Sequence, residues 1–184
     1  MKYCSDCGAT VTHKMPEGET RLRFICDSCG IIHYQNPKII AGVLPLWGEQ
    51  VLLCRRAIEP RYGLWTLPAG FMENGETTDQ AAARETHEEA NAPVSNLTLY
   101  TVISLPHANQ VYMIYRGELP AEDAFSPGTE SLETRLFHEA EVPWDELAFH
   151  TVRKTLERYF HDRKHGVFPV HNFECPPMTV KLAT

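Results

Sequence analysis

Gly70-Phe71-Met72-Glu73-Asn74-Gly75-Glu76-Thr77-Thr78-Asp79-Gln80-Ala81-Ala82-Ala83-Arg84-Glu85-Thr86-His87-Glu88-Glu89-Ala90-Asn91-Ala92 is the segment whose reading decides the fold. Glu85, Glu88 and Glu89 are spaced i, i+3, i+4, so on a helix their side chains share one side. Like charges at that spacing repel and destabilise an isolated helix. A bound cation relieves the repulsion. The donors on offer are hard oxygens, which points to Mg2+, with Mn2+ as a substitute. Gly70 lets the backbone approach closely, so its carbonyl joins the candidate ligands. The plainer reading is a solvated acidic face on a surface helix.

The helix has legible ends. Thr77 with Gln80 three residues on forms a capping-box pattern, and the alanines that follow are strong helix formers. Asn91 accepts a left-handed conformation, and Pro93 cannot continue a helix. Ala83, Thr86 and Ala90 lie opposite the carboxylates and are small enough to pack closely on a sheet. Leu67-Pro68-Ala69-Gly70 and Asn74-Gly75 are turn chemistry.

The spacing of Gly70, Glu76, Arg84-Glu85, Thr86, Glu88-Glu89 and Ala92 resembles the Nudix hydrolase box almost position for position. Two positions depart from it. Asn91 stands where the family usually has Gly, and Thr86 is less apolar than the usual residue. The resemblance implies an α+β fold, an α/β/α sandwich on a mixed sheet, that cleaves a nucleoside diphosphate linked to another moiety. On matching positions it makes Glu85, Glu88 and Glu89 the ligands of the catalytic metal. It has Arg84 pair with Glu76 to hold the helix, and Glu73 reach a metal through water. Metal ions neutralise the diphosphate, orient it and lower the pKa of a bound water. Such a reaction needs positioning and positive charge more than a covalent nucleophile. The general base is open between a glutamate of the box and Glu130 or Glu133 of a later loop. Pro127-Gly128 would make that loop flexible enough to close over a substrate.

Cys4-x-x-Cys7-Gly8 and Cys26-x-x-Cys29-Gly30 are matching knuckles, with eighteen residues between Cys7 and Cys26. Four thiolates at this spacing make a tetrahedral structural zinc site. A pair of disulfides is the alternative, disfavoured because no secretory signal precedes Cys4 and the enzyme class is intracellular. Lys2, Lys14, Arg21 and Arg23 are matched by Asp6, Glu17, Glu19 and Asp27, so the ribbon is formally neutral within a chain of net charge −7. Nucleic-acid modules carry a basic footprint. A scaffold or dimerisation role is therefore favoured, and no nucleic-acid partner is expected. Cys54 and Cys175 read as an inert core thiol and a tail residue.

The 184 residues hold one medium domain plus the ribbon: 1–36 as zinc ribbon, 37–164 as the Nudix domain and 165–184 as an irregular tail. Lys38–Trp47, Gln50–Arg56, Leu97–Leu105, Gln110–Gly117 and Leu132–His138 read as strands, and Thr151–Lys164 as a helix with Val152, Leu156, Tyr159 and Phe160 on one side. No apolar run is long enough to span a membrane, and a cytoplasmic protein is expected. Arg55, Arg56 and Arg61 are candidate phosphate or ribose ligands. Trp47, Trp65, Phe71, Tyr112 and Tyr115 are candidates to stack on a base, Trp65 and Phe71 foremost.

Segments 55–65, 130–137 and 141–149, with the ribbon, resemble a Nudix subgroup that hydrolyses ADP-ribose and FAD. A related zinc-ribbon subgroup cleaves NADH but usually carries a Ser-Gln-Pro-Trp-Pro-Phe-Pro type segment that is missing here, which ranks NADH third, as an alternative behind ADP-ribose and FAD. The implied substrate is a dinucleotide or nucleotide-sugar diphosphate, and the family habit implies a homodimer. Two rivals stand beside this reading: a catalytically silent nucleotide-binding regulator, and an RNA 5′-end hydrolase with the ribbon as clamp. Retained carboxylates argue against the first, and the neutral ribbon against the second.

Overall fold

The computed structural model describes residues 1–177. Met1–Pro37 forms one compact unit, and the chain from Lys38 onward forms another.

The first unit is a three-stranded antiparallel sheet of β1 (Val11–Lys14), β2 (Arg23–Cys26) and β3 (Ile32–His33). Each knuckle turns back on itself through its glycine. The Gly8 N–H donates to the Cys4 carbonyl and the Gly30 N–H to the Cys26 carbonyl, each at 3.0 Å. Both glycines hold φ near +75°, where a side chain would be strained.

The second unit is built on β4 (Lys38–Trp47), β5 (Gln50–Arg56), β6 (Trp65–Thr66), β7 (Ala69–Phe71), helix α1 (Thr78–Ala90), β8 (Ser95–Leu105), β9 (Gln110–Glu118), β10 (Ser131–Phe137), helix α2 (His150–His165) and β11 (His171–Glu174). The sheet order is β10-β5-β4-β9-β8-β11, with β6 on β5 and β7 on β4. The β4/β9 and β8/β11 pairs are parallel and the other pairs antiparallel, so the sheet is mixed, as expected.

Successive residues of the central strands face opposite helices, as a period of two requires. Val43 packs with Ala81 and Ala82 of α1, whereas Leu44 packs with Val152, Leu156, Tyr159 and Phe160 of α2. Likewise Leu53 sits in the α2 cluster, and Leu52 packs with Ala90 at the end of α1. The sheet is thereby sandwiched between two helical layers. Fully burying a leucine such as Leu156 contributes about 2 kcal/mol.

Two sequence expectations need correction here. The face of α1 that meets the sheet is Ala81, Ala82, Thr86 and Ala90; Ala83 is only half-buried. The segment expected to be an irregular tail contains β11, paired in parallel with Thr101–Ser104 of β8. Polar and cation–π contacts hold it. Asp162 of α2 accepts from the Tyr100 hydroxyl at 2.8 Å and lies 2.7 Å from His171 Nε2. Arg158 lies over Phe173 and Arg116 over Phe168. The rest of that expected tail, 178–184, lies outside the described residues.

Candidate active site and zinc centre

Helix α1 is fixed at both ends by the residues that mark them in the sequence. The Thr77 hydroxyl accepts from Gln80 N–H and the Gln80 side chain accepts from Thr77 N–H, completing the capping box. Asn91 takes the left-handed C-cap conformation with φ 45°. Its side-chain amide also donates to Ser126 and to the Pro127 carbonyl, so Asn does work a Gly could not do there.

Arg84 is the hub of the site. Its Nε and Nη2 clasp the two oxygens of Glu76 at 3.1 and 2.9 Å. Nη2 also donates to the Phe71 carbonyl, and Nη1 donates to Glu85 at 2.8 Å and Glu88 at 3.2 Å. One guanidinium therefore ties α1 to β7 and to the loop before it. Arg84 and the Glu73 amide hold the Glu76 carboxyl down to about 2, and Glu76 in turn raises Arg84. The Glu73 amide is spent on Glu76 at 2.6 Å, which orients that loop.

Glu85 lies directly against Gly70: a Cβ on residue 70 would overlap its carboxylate. The expected close approach at Gly70 is thus real, though Gly70 sits inside β7 rather than in a turn. Glu89 is buried and accepts from the Ala69 N–H at 3.3 Å. Burial pushes its carboxyl up to about 8, against the opposing pull of the Ala69 amide and Arg56, with Glu85 and Glu130 adding to the rise. Burial likewise raises Glu85, against Arg84. Glu88 is turned outward toward Arg84 and is more than half exposed. Two carboxyls whose charged form burial disfavours, beside a backbone cradle only glycine can form, fit a hard divalent cation. When bound, that ion supplies charge neutralisation and an activated water.

The loop carrying Glu130 is not a free flap, contrary to expectation. Ser126 N–H donates to the Ala90 carbonyl and Gly128 N–H to the Glu89 carbonyl. A Cβ at Gly128 would overlap the Glu88 carbonyl. The loop is therefore pinned to the C-terminal end of α1, where unpaired carbonyls need donors. The same anchoring sets Glu130 near enough to raise both Glu85 and Glu89. Glu133 is directed elsewhere, 3.7 Å from Arg55 in an exposed ion pair.

The arginines separate by strand alternation. Arg55 donates to the Gly63 carbonyl and faces Glu133. Arg56 faces the site side, donating to the Pro60 carbonyl and lying over Phe149. Arg56, Phe71, Tyr112 and Phe149 line a lobe of about 290 Å³ that begins at Gly70. Arg61 lines a second lobe of about 260 Å³. Trp65 must be removed from the ligand candidates: it is buried and packs edge-on against Phe137, 4.9 Å between ring centres, inside the core. Tyr115 is buried under α1 with its hydroxyl on Thr78, and Trp47 packs against the cluster beneath the end of α1. Phe71, half exposed with Lys38 over its ring, keeps an open face. Sequence reading missed the contributions of Phe149 and Thr151 to these lobes; an aromatic residue just before a helix gives no motif to find them by.

In the first unit the sulfurs of Cys4, Cys7, Cys26 and Cys29 all lie within 4.8 Å of one another, and none is in a disulfide. The Cys29 amide points at the Cys26 sulfur and lowers its thiol to about 6, the state a metal ligand needs. His33 Nε2 lies 3.3 Å from Cys4 Sγ, a neighbour that spacing did not reveal. The four thiols fit Zn2+ in a closed structural site.

The NUDIX domain matches residues 36–162, and the Nudix N-terminal zinc-ribbon domain matches residues 2–35. The chain belongs to the Nudix family. A NUDIX hydrolase from Nitrosomonas europaea is 54% identical, with TM-score 0.92 over 96% of this chain and 100% of that one. An ADP-ribose pyrophosphatase from Streptococcus suis shares the fold at 18% identity, with TM-score 0.61 over 74% of this chain and 99% of that one. Among curated relatives, the NAD-capped RNA hydrolase NudC of Salmonella paratyphi C is 30% identical over 77% of this chain and 53% of its own length, and that of Shigella flexneri is 31% identical over the same shares. The chain spans about half the length of these curated relatives. As a Nudix hydrolase it is an enzyme of a family that works with Mg2+ or Mn2+. No helix among the described residues is long and apolar enough to cross a membrane.

Proposed function

We propose that this Nudix enzyme hydrolyses the diphosphate bond of an adenosine dinucleotide or nucleotide-sugar diphosphate, with ADP-ribose and FAD as first substrates, releasing AMP. The observation that carries the reading is that the Gly70–Glu85–Glu89 cradle opens onto an aromatic lobe sized for a nucleoside or a flat ring. In this scheme Glu85, Glu88 and Glu89 hold Mg2+, with the Gly70 carbonyl beside them. Arg84 and Glu76 keep α1 in register with β7. Glu130 serves as the base that takes a proton from the attacking water, because it is the loop glutamate whose charge reaches Glu85 and Glu89. Glu133 is left to its ion pair with Arg55. Arg56 contacts phosphate, and Phe71 with Tyr112 hold the ring.

A second reading is NAD(H) or an NAD-capped RNA end, favoured by the relatives named for that activity. They weigh against the expectation that nucleic acid plays no part. A Mg2+-dependent panel on zinc-loaded protein, with ADP-ribose, FAD, NADH, diadenosine polyphosphates and capped RNA, separates these readings. We expect ADP-ribose or FAD to lead, and Glu89→Gln to lower turnover by about a thousandfold or more. If wild type turns over none of them yet still binds nucleotide tightly, the enzyme reading is lost and a regulator replaces it.

A further inference from the structure

The two cysteine knuckles repeat one another in their backbone bonds. The Cys4 N–H donates to the Ala9 carbonyl at 2.8 Å, and the Cys26 N–H donates to the Ile31 carbonyl at 3.0 Å. Tyr3 bridges Thr10 as Ile25 pairs with Ile32. Cys4 and Cys26 are buried, whereas Cys7 and Cys29 are exposed. A chemical difference falls four residues beyond the second cysteine of each knuckle. The first knuckle has Val11 there, paired in the sheet with Cys26. The second has His33, whose Nε2 lies 3.3 Å from the Cys4 sulfur.

His33 ends the short strand β3 opposite Phe24 of β2 and is half-buried. Among the described residues its ring has no other hydrogen bond and no ion pair. A thiolate only accepts hydrogen bonds, so once the four cysteines hold a metal the imidazole must be the donor, through Nε2–H. The sulfur of Cys26 has a donor from its own backbone, the Cys29 N–H at 3.4 Å. Four thiolates on one divalent ion make a dianionic cluster, and the ribbon around it is formally neutral. Donors to sulfur spread that charge and make a thiolate less basic and less nucleophilic.

We propose that His33 is a positioning residue of the ribbon's metal centre: its Nε2–H bond holds the Cys4 thiolate on Zn2+ and slows loss of the metal. The bond joins β3, which follows the second knuckle, to the first cysteine of the first knuckle. It therefore closes the site across the two halves of the ribbon. Partners of metal ligands change metal retention by about tenfold to a hundredfold. The inference concerns the ribbon alone and holds whichever substrate the catalytic unit takes.

The test uses the full chain loaded with Zn2+ or Co2+ and compares wild type with His33→Ala, His33→Phe and His33→Gln. Zinc transfer to an excess of chromophoric chelator is expected to be about tenfold faster in His33→Ala. The same is expected of His33→Phe, which keeps a ring but has no donor. His33→Gln keeps an N–H donor and should return to within about threefold of wild type. In the Co2+ protein the sulfur-to-metal charge-transfer band should keep its four-thiolate intensity in every variant. That band should move to lower energy in His33→Ala and His33→Phe, because a sulfur without its donor gives up electron density more easily. Faster zinc release with an unmoved band would mean that the side chain only packs, and it overturns the inference. A wild-type release rate in His33→Phe also overturns it. So does a wild-type band of three-thiolate intensity, which would make His33 a ligand in place of a cysteine. If wild type binds neither ion, the zinc reading and this inference fall together.

Discussion

The two units of this chain are held together by different physics. In the ribbon the buried apolar side chains are Cys4 and Cys26 at the metal site and Pro16, while Tyr3, Met15, Leu22, Ile31 and Tyr34 are exposed. In the catalytic unit Tyr100, Phe160, Leu44, Leu53 and Leu156 are fully buried in a core shared by sheet and helix. A unit of 37 residues has too little interior to fold on hydrophobic burial alone, so metal–thiolate bonds take the place of a core. The larger unit has apolar area to spare. It uses charge where the ribbon uses metal for folding, burying Glu89 and Glu85 at a cost to its own stability for the sake of the site. The lesson is that a metal can serve as the core in one part of a chain, while in another the preparation for a metal works against the core.

Removing zinc should break this comparison most visibly. Structural zinc contributes roughly 10 kcal/mol or more to small domains. Chelation, or Cys26→Ser, is expected to abolish amide-exchange protection across β1–β3 while β4 and α2 keep theirs. Protection lost in both units, or kept in both, would refute the contrast. Next in size is Leu156→Ala, which opens a cavity in the α2 cluster. It should cost about 3 kcal/mol in urea unfolding of the catalytic unit while leaving ribbon exchange rates in place.

The buried carboxyls give a pH signature spread over the window between about pH 4.5 and 8. Glu89 rises from an ordinary 4.5 to about 8 on folding, and Glu85 rises as well. The folded state therefore binds more protons than the unfolded chain. Metal-free protein should be most stable below about pH 4.5 with respect to these groups, and should lose stability as pH climbs toward 8. Thermal melts without Mg2+ should show that fall, Glu89→Gln should flatten it, and Mg2+ should reverse it; a wild-type profile flat across this window would contradict the burial argument. Smallest is Asn91→Ala, expected to cost about 1 kcal/mol through a strained left-handed C-cap and the lost bonds to Ser126 and Pro127. Asn91→Gly should relieve the strain but not restore the loop anchor, so the two variants measured together apportion the loss.

Much of the site could be read before any coordinates because its signals are local. The capping box at Thr77 and Gln80, the positive φ of Asn91, the Gly70 approach and the knuckle glycines all follow from a few consecutive residues. What sequence reading missed depends on partners far along the chain. Trp65 looks like any strand aromatic until Phe137 closes on it from seventy-two positions away. Glu130 and Glu133 are equivalent on paper, and only the pinning of 126–128 to the end of α1 separates them. His171 finds Asp162 and Tyr100 only because β11 adds to the far edge of the sheet, and no periodicity announces a four-residue strand after a glycine and a proline.

By itself the sequence determined the family, the carboxylate-bearing helix and the four clustered cysteines, because helix geometry and knuckle turns convert spacing directly into direction. The tertiary structure alone decided which arginine faces the cleft and which glutamate reaches the carboxylates. Those outcomes depend on strand register and loop anchoring, which are long-range contacts that no short window of residues encodes.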